Sequence, residues 1–128
     1  MRKIRLGVNI DHVATLRNAR NENFPNLLDV CKILKELQVD SITVHLREDR
    51  RHIRDKDVTD LKEKKFLPLN LEMAATREMK DFCLKTLPES CCIVPERREE
   101  LTTEGGLDVK NQMDYLGTFL PELLKKTK

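Results

Sequence analysis

A chain of 128 residues suits one domain, and its 39% apolar content can furnish a modest core. Charged residues make up 36%, but the signs nearly cancel at +2, so no basic stripe argues for nucleic acid. No apolar stretch approaches the ~18 residues of a membrane span, no signal peptide is evident, and four cysteines without C-x-x-C spacing read as reduced thiols, so the chain is expected in the cytoplasm.

Residues 4–11 alternate, with Ile4, Leu6, Val8 and Ile10 on one phase and Arg5, Gly7, Asn9 and Asp11 on the other. That is a strand with one apolar and one polar face. A long loop then runs from His12 to about Pro25. If residues 13–20 form a helical turn or two, Arg17 and Arg20 share a face. Paired guanidinium forks suit a phosphate ester, although the spacing equally allows two solvated charges.

Leu27, Val30, Cys31, Leu34 and Leu37 recur at helical spacing before a second strand over 41–47. There Ile42, Val44 and Leu46 oppose Ser41, Thr43, His45 and Arg47. The basic run Arg47, Arg50, Arg51 and Arg54 is diluted by Glu48, Asp49 and Asp55 and reads as a solvated loop. Val58 and Leu61 mark a shorter helix, and a third strand over 69–73 sets Leu69, Leu71 and Met73 against Asn70 and Glu72. Thr76 is placed to cap a helix carrying Met79, Phe82 and Cys83. A fourth strand, around 90–94, is less cleanly phased. After it, Thr102-Thr103-Glu104-Gly105-Gly106 offers hydroxyls and backbone N–H groups to an anion, or is merely a turn. Asp108 can cap a last helix with Gln112, Met113 and Leu116.

Strands alternating with helices predict an α/β fold with a parallel sheet and right-handed crossovers. An open doubly wound sheet buries both faces of its strands, which then read as continuous apolar runs. Here one phase is polar and gains chemistry toward the C-terminal end of each strand: Asn9 and Asp11, His45 and Arg47, Asn70 and Glu72. A (β/α)8 barrel, with its lumen and its site at the C-terminal rim, has that pattern. No phosphate-loop or Gly-x-Gly-x-x-Gly motif follows the first strand. Four βα units of ~32 residues each make the first half of a barrel whose closed form needs about 250.

All three histidines fall in this rim set: His12, His45 and His52. A lone strand histidine is usually structural, but three gathered with Asp11 and Glu72 favour function. A histidine titrates near neutrality, and a desolvated carboxylate can be raised toward it, so such a pair can pass protons during bond making. A metal-dependent hydrolase with His12, His45, His52 and Glu72 as ligands is a rival reading, but no tight ligand motif supports it.

At these residues the chain resembles a known family. Residues 7–20 (GVNIDHVATLRNAR), 43–53 (TVHLREDRRHI), 70–74 (NLEMA) and 102–109 (TTEGGLDV) are similar, in order, to signatures of the pyridoxine 5'-phosphate synthases. The resemblance implies vitamin B6 biosynthesis: 3-amino-2-oxopropyl phosphate condenses with 1-deoxy-D-xylulose 5-phosphate to give pyridoxine 5'-phosphate, without metal or organic cofactor. By matching motif, Asn9 and Arg20 would contact the amino-ketone phosphate. Asp11, His12, Arg47, His52 and Thr102 would contact the deoxyxylulose phosphate, and His45 and Glu72 would accept protons.

The family's second half implies a further glutamate, a proton-donating histidine and glycine-rich phosphate loops, which this chain does not contain. Its tail, about 117–128, also departs from the family, with Pro121 where an uninterrupted helix is expected. The expectation is therefore a truncated synthase, weakly active or inactive alone. Alternatives are a non-catalytic half-barrel that associates with itself or complements a separate C-terminal half, and a phosphate-sugar binding module. The partners implied are phosphorylated small molecules, with no nucleic acid and no membrane.

Overall fold

A computed structural model describes residues 4–96 and 105–127 of the chain. The strands are β1 (Gly7–Asn9), β2 (Ser41–His45), β3 (Leu69–Met73) and β4 (Ser90–Ile93). They form one parallel sheet in the order β1-β2-β3-β4. The helices are α1 (Asp11–Arg20), α2 (Leu27–Glu36), α3 (Asp55–Lys64), α4 (Arg77–Thr86) and α5 (Met113–Leu124). Sequential order with a helical crossover after every strand is the plan of a (β/α)8 barrel. The described residues make four of its βα units, an α/β half-barrel.

The apolar phase of each strand faces the helices, as its alternation predicts. Ile42, Val44, Leu46, Leu69, Leu71 and Met73 are all at most 1% exposed. Against them pack Ala14 of α1, Leu27 and Cys31 of α2, Val58 and Leu61 of α3, Met79 and Cys83 of α4, and Phe119 and Leu123 of α5. The opposite phase forms polar rows across the lumen side. Asn9 aligns with Thr43, Thr43 with Asn70, and Asn70 with Ser90. Within that row the Asn70 amide donates to Thr43 Oγ1 at 3.3 Å and accepts from the Ser90 hydroxyl at 3.0 Å. One layer nearer the C-terminal rim, His45 aligns with Glu72 and Glu72 with Cys92. At the other end Gly7 and Ser41 approach closely: a Cβ on Gly7 would sit 2.9 Å from Ser41 Oγ, and that hydroxyl would have to turn away.

Several boundaries differ from the sequence reading. The first strand is shorter, because Asp11 opens a helix. The loop expected from His12 to Pro25 is therefore mostly α1, ending at Asn21 in the left-handed region (φ 52°). Thr76 caps α4 as expected, accepting from the Met79 N–H at 3.4 Å. Asp108 does not cap α5 directly; its carboxylate accepts from Asn111 N–H at 3.1 Å in the turn before the helix. Pro121 lies inside α5 without ending it. Leu116, Phe119 and Leu123 hold the helix to the core, and Tyr115 donates its hydroxyl proton to the Ala75 carbonyl at 2.6 Å. This anchoring on both sides of the proline offsets a cost of about 3 kcal/mol for the lost helical hydrogen bond and ring clash.

Candidate active site

The C-terminal ends of β1, β2 and β3 bring Asn9, Asp11, His45, Arg47, His52 and Glu72 to one rim. Asp11 is the hinge of the cluster. It is 7% exposed, at the head of α1, and its Oδ1 accepts the His45 backbone N–H at 2.8 Å. Its Oδ2 accepts the Asn9 amide at 2.9 Å, while Asn9 Oδ1 accepts the Asp11 N–H at 2.9 Å. Asp11 thus fixes the end of β1 to the end of β2, and it places negative charge among the histidines.

His45 is 4% exposed, and desolvation pulls its imidazole down from 6.5 to about 4, against the upward pull of Asp11. At neutral pH the ring is uncharged, so it can accept a proton. His52, with its ring centroid 6.2 Å from that of His45, is likewise lowered, first by burial. Its Nδ1 accepts the Ile53 N–H at 2.9 Å, which fixes the ring. Glu72 moves the other way: burial, and secondarily Asp11, raise its carboxyl. With the carboxyl raised above 4.5 and the imidazole lowered to about 4, the pair on adjacent strands has its ordinary order of proton affinity inverted, and the carboxyl holds a proton more tightly than the ring. Such a pair suits proton transfer.

Arg47 contradicts the reading of its segment as a solvated loop. It is 1% exposed, because it continues the lumen phase of β2 beyond the strand's end. Two other arginines of the run are tied down too, while Arg54 is exposed. Arg50 reaches Asp55 at 3.1 Å, and Arg51 reaches Asp49 at 2.6 Å. The Arg17–Arg20 pair is also corrected. Arg17 lies against Asp57 of α3 in a two-pronged contact at 2.6 and 2.9 Å and also donates to the His52 carbonyl at 3.4 Å. Its fork is spent on holding α1 to α3. Arg20 is exposed and, among the described residues, pairs with Glu22 at 2.9 Å. His12 is exposed as well, its Nδ1 3.4 Å from Thr15 Oγ1. Thr102 lies outside the described residues.

The sequence reading missed Glu96. Its side chain, 4% exposed, lies at the same mouth, with Oε1 accepting the Glu48 N–H at 2.9 Å and lying 3.8 Å from Arg47 Nε. Its Oε2 is 3.4 Å from His45 Nε2. A signal was available: Ser90, Cys92, Val94 and Glu96 continue one strand phase, and the first two align with the lumen residues Asn70 and Glu72. Among the described residues, no three His, Cys, Asp or Glu side chains are grouped to hold a metal ion, and no helix is long and apolar enough to cross a membrane.

This rim can be set against known proteins. The family described as Pyridoxal phosphate biosynthesis protein PdxJ matches residues 6–127. The chain belongs to that family. Among curated members, it is 58% identical over 123 residues to the pyridoxine 5'-phosphate synthase of Ehrlichia ruminantium (strain Welgevonden), covering 96% of this chain and 52% of that protein. It is 57% identical over 121 residues to the synthase of Thioalkalivibrio sulfidiphilus, covering 94% and 49%. With the synthase of Coxiella burnetii it shares 52% over 122 residues, covering 95% and 51%. The chain thus spans about half the length of the curated PdxJ relatives it matches. The PdxJ match includes the segment holding Pro121, which the structure keeps helical.

Proposed function

We propose that this chain carries the first half of a pyridoxine 5'-phosphate synthase site, which condenses 3-amino-2-oxopropyl phosphate with 1-deoxy-D-xylulose 5-phosphate. The observation that carries the reading is the aligned pair His45 and Glu72, with opposite pKa displacements, beside the buried Arg47. In this reading His45 and Glu72 accept protons during imine formation, enolisation and ring closure. Asn9 and Arg20 contact the amino-ketone phosphate. Asp11, His12, Arg47, His52 and Thr102 contact the deoxyxylulose phosphate. The condensation proceeds without metal or organic cofactor. Arg20 and His12 are exposed, and the pair of Arg20 with Glu22 is a weak surface contact that a bound phosphate could replace.

A second feature supports completion of the site by further βα units. Beside β4 lies an apolar hollow of about 320 Å³, lined by residues including Ile93, Leu107, Leu116 and Leu120. No strand among the described residues pairs with the outer edge of β4. Further βα units of a family barrel fit that edge and hollow.

The test is product formation from both substrates by the purified chain, alone and mixed with the second half of a relative. Little product alone, product on mixing, and loss of product in a Glu72→Gln chain are the expected results. Undiminished product from the Glu72→Gln mixture would remove Glu72 from proton transfer and leave a phosphate-binding half-barrel.

A further inference from the structure

Glu96 bears on a choice that the cluster leaves open: which nitrogen of His45 is the base. The two carboxylate oxygens of Glu96 have different surroundings. Oε1 accepts the Glu48 N–H at 2.9 Å and lies 3.8 Å from Arg47 Nε. Oε2 is turned away from that donor, toward His45 Nε2 at 3.4 Å. Both Oε2 and Nε2 are buried, and neither has a hydrogen-bond partner among the described residues.

A neutral imidazole carries one proton and one basic lone pair, and the partner of one nitrogen decides where they sit. With the proton on Nδ1, the Nε2 lone pair would face a carboxylate lone pair in a dry site. With the proton on Nε2, a small ring rotation gives Oε2 a donor and satisfies both buried atoms. The other ionisable groups around the ring are Asp11 at the head of α1, Arg47 and Asp49 beyond β2, His52 before α3, and Glu72 on β3. Of these, only Asp11 has a hydrogen bond to His45, and it goes to the backbone N–H, not the ring.

We infer that Glu96 is a positioning residue that holds the His45 proton on Nε2, so that Nδ1 is the nitrogen that accepts a proton. A proton arriving at Nδ1 makes an imidazolium whose Nε2–H already faces a carboxylate. The ring is thereby oriented and its charge compensated without movement of the strand. The inference deepens the reading of His45 as proton acceptor and rests on it for its meaning, although the tautomer itself does not depend on turnover.

The experiment is a long-range proton–nitrogen NMR correlation on the full chain labelled with 15N-histidine, at neutral pH and without substrate. The His45 ring is assigned by its loss in His45→Asn. The expected wild-type pattern has Nε2 at the protonated, pyrrole-type position and Nδ1 at the pyridine-type position. In Glu96→Met the preference should relax toward a mixture, moving both nitrogens to intermediate shifts. A wild-type ring protonated on Nδ1 overturns the inference, and that result does not depend on the Glu96 variant. A Glu96→Met chain that stays folded with the wild-type pattern overturns it as well. Neither result depends on product formation, so a failed synthase assay and a failed tautomer assignment remain distinct.

Discussion

At the ends of β2 and β3, ionisable groups are buried: Arg47 is 1% exposed and His45 4%, with Glu96 drawn in against both. On the flank beside β4 the polarity is reversed, and apolar Met113 and Val109 stand 64% and 54% exposed. A protein buries charge at a cost of several kcal/mol per ion unless partners compensate it. It leaves contiguous apolar surface open where something else is to cover it. The mouth thus holds its charges buried and partnered, whereas the flank leaves apolar surface open to water.

The largest expected effect breaks the mouth. Arg47→Met removes the guanidinium beside Glu96 and leaves its carboxylate buried with the Glu48 N–H. Breaking one side of a buried ionic contact costs about 3–5 kcal/mol, which urea unfolding would read as a lower midpoint at unchanged slope. If the loss is only a few tenths of a kcal/mol, Arg47 is not needed to compensate Glu96 in the folded chain, and its burial serves a bound anion instead.

A slightly smaller effect follows from His45. Burial lowers its folded-state value from 6.5 to about 4. Between those limits the unfolded chain binds a proton that the folded chain refuses. Stability from this group is therefore fully present above about pH 6.5 and is lost as pH falls toward 4. The difference corresponds to about 3 kcal/mol. His52 is displaced in the same direction, and Glu72, raised by burial, works against both. Comparing unfolding of wild type and His45→Gln at the two ends of the window isolates the His45 part. Equal pH slopes in the two proteins would show that the folded ring protonates as readily as an exposed one.

How much of this was legible in the sequence follows from the range of each signal. The helix-facing phase of β2 and β3 was readable because alternation is local, and every expected apolar residue is buried. Thr76 capped as read, for the same reason. His45, Glu72 and Asp11 came together because strand phase and rim position suffice to place them. Arg17 was misread because its partner, Asp57, is 40 residues away and belongs to another helix. Arg47 was read in two ways, with its charged neighbours as solvated loop and with His45 on the lumen phase, and its burial agrees with the strand phase. Glu96 needed the phase of β4 to be carried past the strand's end, across Pro95, where ladder hydrogen bonding gives way to loop. The length of α1 depended on its anchoring: Ala14 is fully buried, and Asn18 donates to the His52 carbonyl at 2.8 Å.

The smallest effect on stability tests the flank. Val109→Lys with Met113→Lys places two charges at exposed positions lining the apolar hollow beside β4. Exposed substitutions of this kind change stability by no more than about 0.5 kcal/mol, so urea unfolding should hardly move. Association should move instead. An uncovered strand edge next to apolar surface invites pairing, and lysine at such an edge opposes it. In sedimentation the wild-type chain is expected to self-associate with rising concentration, and the double variant to remain smaller at the same concentration. The variant should also need more of a relative's second half to reach equal product in the mixing assay. If both proteins sediment alike and mix alike, the flank takes no part in completing the barrel, and the contrast with the mouth reduces to ordinary surface composition.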